Sequence, residues 1–80
     1  MKNNSNRTAG VIVTFDPGAP GYPDRSTCTV RDDNLDNNIY LVLIRKYMWL
    51  LDHQPLVGKR IRFSRSWGSQ GLLAEEIELE

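Results

Sequence analysis

The chain has one cysteine, one histidine and no net charge. Cys28 has no second cysteine with which to close a disulfide. Cys28 and His53 together fall short of the four ligands that a structural zinc site takes. The longest unbroken apolar run, residues 39–44, is far shorter than the roughly 20 residues a membrane-spanning helix needs. Residues 1–10 are too polar for a secretory signal. These shortages exclude a transmembrane protein, a secreted disulfide scaffold and a zinc finger, and leave a cytoplasmic domain without metal or cofactor. Catalytic groupings are missing too. His53 is followed by Gln54 and Pro55 with no serine or cysteine nucleophile beside it. The chain has no phosphate-cradling glycine loop, nucleophile elbow or paired-histidine motif. Asp32, Asp33 and Asp36 lack the spacing and terminal glutamate of a calcium loop and read as a solvated turn. The expectation is a protein that is not an enzyme.

What is present is ordinary globular composition: 80 residues, 40% hydrophobic and 25% charged. Residues 1–8, with three asparagines, read as a flexible tail, and residues 9–80 as one domain. Residues 9–15 (AGVIVTF) and 26–31 (STCTVR) are β-branched and read as strands. Between them, residues 16–25 hold three prolines and two glycines and form a loop with a tight turn. The Asp/Asn-rich residues 32–38 make another turn. Residues 39–44 (IYLVLI) read as a third strand, followed by a short helical turn over residues 47–52. One longer helix through Leu51 is the alternative, because nearly every position is apolar and periodicity cannot decide. Residues 57–67 alternate, with Val57, Ile61, Phe63 and Trp67 on one parity, which Lys59 and Arg65 share, and Arg60, Arg62, Ser64 and Ser66 on the other. A turn at residues 68–71 leads into residues 72–79, where Leu73, Ile77 and Leu79 face one way and Glu76 and Glu78 the other. Five short strands with a helical turn before the fourth predict an all-β, five-stranded antiparallel barrel, whose closure removes exposed edges.

The zero net charge hides a strong segregation. Residues 1–44 carry four basic and five acidic side chains; residues 45–65 carry six basic residues and only Asp52; residues 66–80 carry four glutamates and no basic residue. A basic block suits nucleic acid, which needs a local positive field rather than a positive total. It suits cross-strand pairing with the acidic tail equally well.

The segment Gly10-Val11-Ile12-Val13-Thr14-Phe15-Asp16 resembles the opening of cold-shock domains, Gly-x-Val-Lys-Trp-Phe-Asn. Residues 56–63 resemble that family's fourth strand, with a glycine ahead of an alternating apolar run, and residues 71–77 its last strand. The resemblance implies an oligonucleotide/oligosaccharide-binding (OB) barrel that stacks single-stranded bases on surface aromatics. The family's stacking motifs are incomplete here. Pro20-Gly21-Tyr22-Pro23 stands in place of Lys-Gly-Phe/Tyr-Gly-Phe, residues 38–43 keep one aromatic and no histidine, and Thr14 replaces the strand-one tryptophan.

Two functions follow as expectations. The first is weak binding of single-stranded RNA or DNA with little sequence preference. Phe15, Tyr22, Tyr40 and Trp67 would stack bases, and Arg60, Arg62 and Arg65 would meet phosphates. The second is a protein-interaction or homodimerisation module of the same fold, using the apolar segment 39–51.

Overall fold

The computed structural model describes residues 6–35 and 38–80. Five strands account for most of them: β1 (Arg7–Asp16), β2 (Thr27–Asp32), β3 (Ile39–Leu43), β4 (Arg60–Gly68) and β5 (Gly71–Leu79). They close into a barrel in the order β1-β2-β3-β5-β4. Four seams are antiparallel; the fifth, between β3 and β5, is parallel, with Leu41 opposite Leu73. The architecture fits a small OB-like barrel. The parallel seam follows from the connection after β3, since residues 44–59 cross one end of the barrel before β4 begins. That crossing contains two 3-10 turns, Ile44–Lys46 and Met48–His53, and no long helix. Another 3-10 turn, Pro23–Arg25, sits in the β1–β2 loop. Among the described residues no helix is long and apolar enough to cross a membrane.

The barrel is filled from every strand: Ile12, Cys28, Val30, Tyr40, Val42, Ile61, Phe63, Ala74 and Ile77 are buried. Ile44, Leu50 and Leu56 plug the end beneath the crossing. The apolar run that left strand and helix undecided is thus resolved by alternation: Tyr40 and Val42 point inward, while Leu41 and Leu43 stay half-buried on the outer face. Gly10 lies where β1 crosses β2 most closely. A Cβ there would sit 2.3 Å from the Arg31 carbonyl oxygen, so no other residue fits without moving backbone.

Two irregularities reverse the faces expected from simple alternation. In β1 the register with β2 slips between Ile12 and Thr14. Val13 is the extra residue, and Phe15 therefore pairs with the buried Cys28 and turns inward. In β5 the slip falls opposite Phe63, and Glu76 takes a left-handed backbone with φ of 53°. Three contacts hold it there. Its N–H donates to the Tyr47 hydroxyl at 2.9 Å, its carboxylate accepts from the Ser64 hydroxyl at 2.6 Å, and its carbonyl accepts from Arg7. Beyond this bulge Ala74 is buried and Leu73 moves to the outer face, opposite Ser66 and beside Leu41. The expected inward placement of Leu73 is corrected by that one extra residue.

The first strand also begins earlier than the composition suggests. Arg7 and Thr8 belong to β1, pairing with Ser64 and Phe63, and Thr8 is buried. Their polarity is explained by partners: the Thr8 hydroxyl donates to Asp32, and Arg7 to the Ser64 hydroxyl and Glu78. The rest of the expected tail, residues 1–5, lies outside the described residues, as do Asp36 and Asn37 of the β2–β3 turn.

Candidate nucleic-acid interface

The seven residues singled out from the sequence do not form one face. Tyr40 is 1% exposed and packs against Phe63, with ring centroids 5.3 Å apart. A base has no access to it, so its expected stacking role is corrected to a core role. Phe15, paired with the buried Cys28 beyond the β1 bulge, is partly buried and packs against the same core.

Arg65 shares the inward parity of Phe63 and Ile61. Its guanidinium lies against Asp32, with Nε at 2.7 Å from the carboxylate; the two side chains are 11% and 0% exposed. Asp32 also accepts from the Thr8 hydroxyl at 2.9 Å and from the backbone N–H groups of Asn34 and Leu35. Burial acts to raise the Asp32 pKa, but hydrogen bonds from Arg65, Asn34, Thr8 and Leu35 outweigh it and hold the carboxyl below its ordinary value. Arg65 is correspondingly held above its ordinary value by its bond to Asp32. The phosphate-contacting role expected of Arg65 is therefore corrected to that of a buried counter-ion.

Arg60 is outward, as expected, and is clasped by Asp33 and by Glu80, the latter at 2.6 Å. Both bonds raise its pKa, Asp33 contributing most. Arg62 is outward and exposed, opposite Ala9 and Glu78. Lys46 meets Glu75 at 3.3 Å. Half of the basic block is thus neutralised within the molecule: Lys46, Arg60 and Arg65 are paired, while Arg45, Lys59 and Arg62 form no ion pair among the described residues.

The remaining two predicted residues are open to solvent. Tyr22 is 52% exposed in the β1–β2 loop, with the Arg25 guanidinium 4.6 Å above its ring. Trp67 is 69% exposed. It carries the inward parity of β4, but the β4–β5 hairpin runs past the barrel wall and leaves the indole without a core to enter.

Tyr22 lies two residues before Asp24, and Trp67, near the end of β4, three before Gln70; Asp24 and Gln70 both line one cleft of about 300 Å³. Its walls are Asp24, Arg25, Ser26 and Thr27 from the β1–β2 loop, Leu43, Ile44 and Arg45 from the end of β3, and Gln70 from the hairpin turn. The volume is at the small end of the range for ligand sites. The loop wall is internally tied: Gly18 N–H donates to the Asp16 carboxylate, Tyr22 N–H to Ala19, and Arg25 N–H to Tyr22. Ser26 anchors it, buried, with its hydroxyl bonded to the Pro23 carbonyl and its own carbonyl accepting from Ile44 N–H. Arg25, Arg45 and Asp24 form no ion pair among the described residues. The cleft thus counts two arginines, an aspartate and a glutamine among its lining residues.

Sequence reasoning overlooked Asp24, Arg25 and Gln70. Asp24 and Arg25 follow Pro23 at the end of the Pro/Gly loop and Gln70 lies in the hairpin turn, so composition marks all three only as turn residues. The available signal was the unusually rigid loop composition, which holds side chains in place as well as reversing the chain. Among the described residues, no group of three or more His, Cys, Asp or Glu is arranged to hold a metal ion. No family model matches the chain, and neither a curated protein nor a solved structure matches it.

Proposed function

We propose that this barrel binds single-stranded nucleic acid weakly, through the cleft between the β1–β2 loop, the end of β3 and the β4–β5 hairpin. The supporting observation is the pairing pattern of the cations. Arg25 and Arg45, without internal counter-ions among the described residues, line a common cleft, and Tyr22 and Trp67 stand exposed close in sequence to its lining residues Asp24 and Gln70. Guanidiniums meet phosphates and exposed rings stack bases, with little dependence on sequence. OB barrels as a class use these same two loops and the face of the second and third strands to hold oligonucleotides. The cold-shock-like pattern of residues 10–16, 56–63 and 71–77 supports the same reading, with the contact surface moved from the strand aromatics to the loops. The outer face of β1, β2 and β3 bears Thr14, Thr29 and Leu41, and the two threonine hydroxyls are bonded to each other at 2.6 Å. That face has no ring on which a base could stack.

The test is a fluorescence titration with mixed-sequence single strands at several salt concentrations. Two phosphate contacts correspond to a slope of log K against log salt of about −1.4 for a single strand. Arg25→Ala with Arg45→Ala flattens that slope. Trp67→Ala weakens binding by about tenfold, the scale of one lost stacking platform. Binding absent at ~100 μM at low salt, or indifferent to salt, defeats the proposal.

A further inference from the structure

The cleft holds a group that phosphate binding does not require. Asp24 is a carboxylate on the wall shared with Arg25 and Arg45, and neither arginine pairs with it. A carboxylate repels phosphate, so in a site that served the strand backbone alone it would only weaken binding. It is well suited to another part of a nucleotide. Its two oxygens accept from two adjacent N–H donors, the arrangement that the Watson–Crick edge of unpaired guanine presents through N1–H and the N2 amino group. Gln70 lines the same cleft from the hairpin side, and its amide can donate to the neighbouring guanine O6. Thymine and uracil present one N–H between two carbonyl oxygens, which would face the carboxylate unfavourably. Adenine and cytosine each present one amino donor beside an acceptor. A volume of about 300 Å³ restricts the cleft to a single base with its sugar or phosphate.

We propose that Asp24 and Gln70 read one guanine in the bound strand, making guanine the specified base at a single cleft position, with neighbouring nucleotides held without preference. This inference rests on the binding reading above, and adds to it the base class and the residues that select it. Arg25 and Arg45 then hold the flanking phosphates, and the carboxylate among them discriminates instead of merely opposing them.

The experiment compares fluorescein-labelled heptathymidylate with the same strand carrying one central guanine or one central hypoxanthine, by anisotropy. Hypoxanthine keeps O6 and N1–H and lacks only the N2 amino group. The central guanine should tighten binding about tenfold over thymine, the scale of one good bidentate contact. Hypoxanthine should recover only part of that gain. Asp24→Asn should erase the gain of guanine over hypoxanthine and leave both only the part that Gln70 supplies, and Gln70→Ala should reduce the guanine and hypoxanthine gains alike. Because the base substitutions are made in the ligand, the native protein tests the inference independently of how any variant folds. Equal affinity of the native protein for all three strands overturns the inference while leaving single-strand binding standing. So does a preference for guanine over hypoxanthine that survives Asp24→Asn undiminished. Failure to bind any of the strands overturns the binding reading and the inference together.

Discussion

At the Asp32 end of β2 the carboxylates of Asp32 and Asp33 are paired within the protein; near the Thr27 end Asp24, Arg25 and Arg45 form no ion pair among the described residues. Asp32 and Arg65 lie buried against each other, with Thr8, Asn34 and Leu35 completing the carboxylate's partners. Five residues away along the same strand, Thr27 borders a cleft lined by Arg25, Arg45 and Asp24. The contrast separates two uses of arginine that residue type alone does not distinguish. An arginine whose counter-ion is inside the protein contributes to the fold, and removing it strands a buried charge. An arginine without one contributes little to the fold and is available to a ligand.

The largest expected effect lies at the closed end. Arg65→Met leaves Asp32 buried without its cation and should destabilise the barrel by about 3–5 kcal/mol, the usual consequence of breaking one side of a buried ion pair. Arg45→Ala, at the open end, should stay within about 0.5 kcal/mol, as surface substitutions do. Urea denaturation of the two variants side by side measures the difference, and equal losses would erase the distinction between the ends. Gly10→Ala comes next. With a Cβ forced to 2.3 Å from the Arg31 carbonyl, strands β1 and β2 must part, and overpacking of this kind costs about 1–3 kcal/mol.

Acid should act through the closed end as well. The folded Asp32 pKa lies below its unfolded value of about 3.9, so its contribution is fully present above that value. As the pH falls from about 4 through the folded pKa, the protonated, unfolded chain gains and the contribution is lost. Asp32→Asn should be less stable at neutral pH and show a flatter acid limb in thermal melts. A smaller effect concerns Cys28, whose thiol is pushed up to about 12 by burial. At pH 8 it should react with a thiol reagent only when the protein is unfolded, which a labelling time course with and without urea will show.

The strands were readable because β-branched alternation and Pro/Gly punctuation report local backbone preference directly. The barrel followed, since five half-apolar strands need closure. The parallel seam between β3 and β5 was not readable, because it depends on where the chain lands after crossing the barrel end. The site was less legible for a specific reason. A bulge adds one residue and exchanges the two faces of everything beyond it, so Phe15 and Leu73 each sit on the face opposite to the one simple alternation assigns. Arg65 failed differently: its parity with Phe63 was visible, but the buried Asp32 awaiting it came from a turn whose composition suggested solvent. Trp67 was rightly taken as a large ring at the end of a strand, yet its exposure depends on how far the hairpin outruns the barrel. The basic block and the acidic tail do pair, Arg60 with its cross-strand neighbour Glu80 and Lys46 with Glu75, while Asp33 and Arg7 from the first half of the chain take up Arg60 and Glu78 as well.

The most direct test of the open-end assignment is a backbone chemical-shift titration of the native protein with a short single-stranded oligonucleotide. The account predicts perturbations gathered at Tyr22, Asp24, Arg25, Arg45, Trp67 and Gln70, with the amides around Asp32 and Arg65 unmoved. Perturbations confined to the outer face of β4 around Arg60 and Arg62, or none at saturating oligonucleotide, would contradict it.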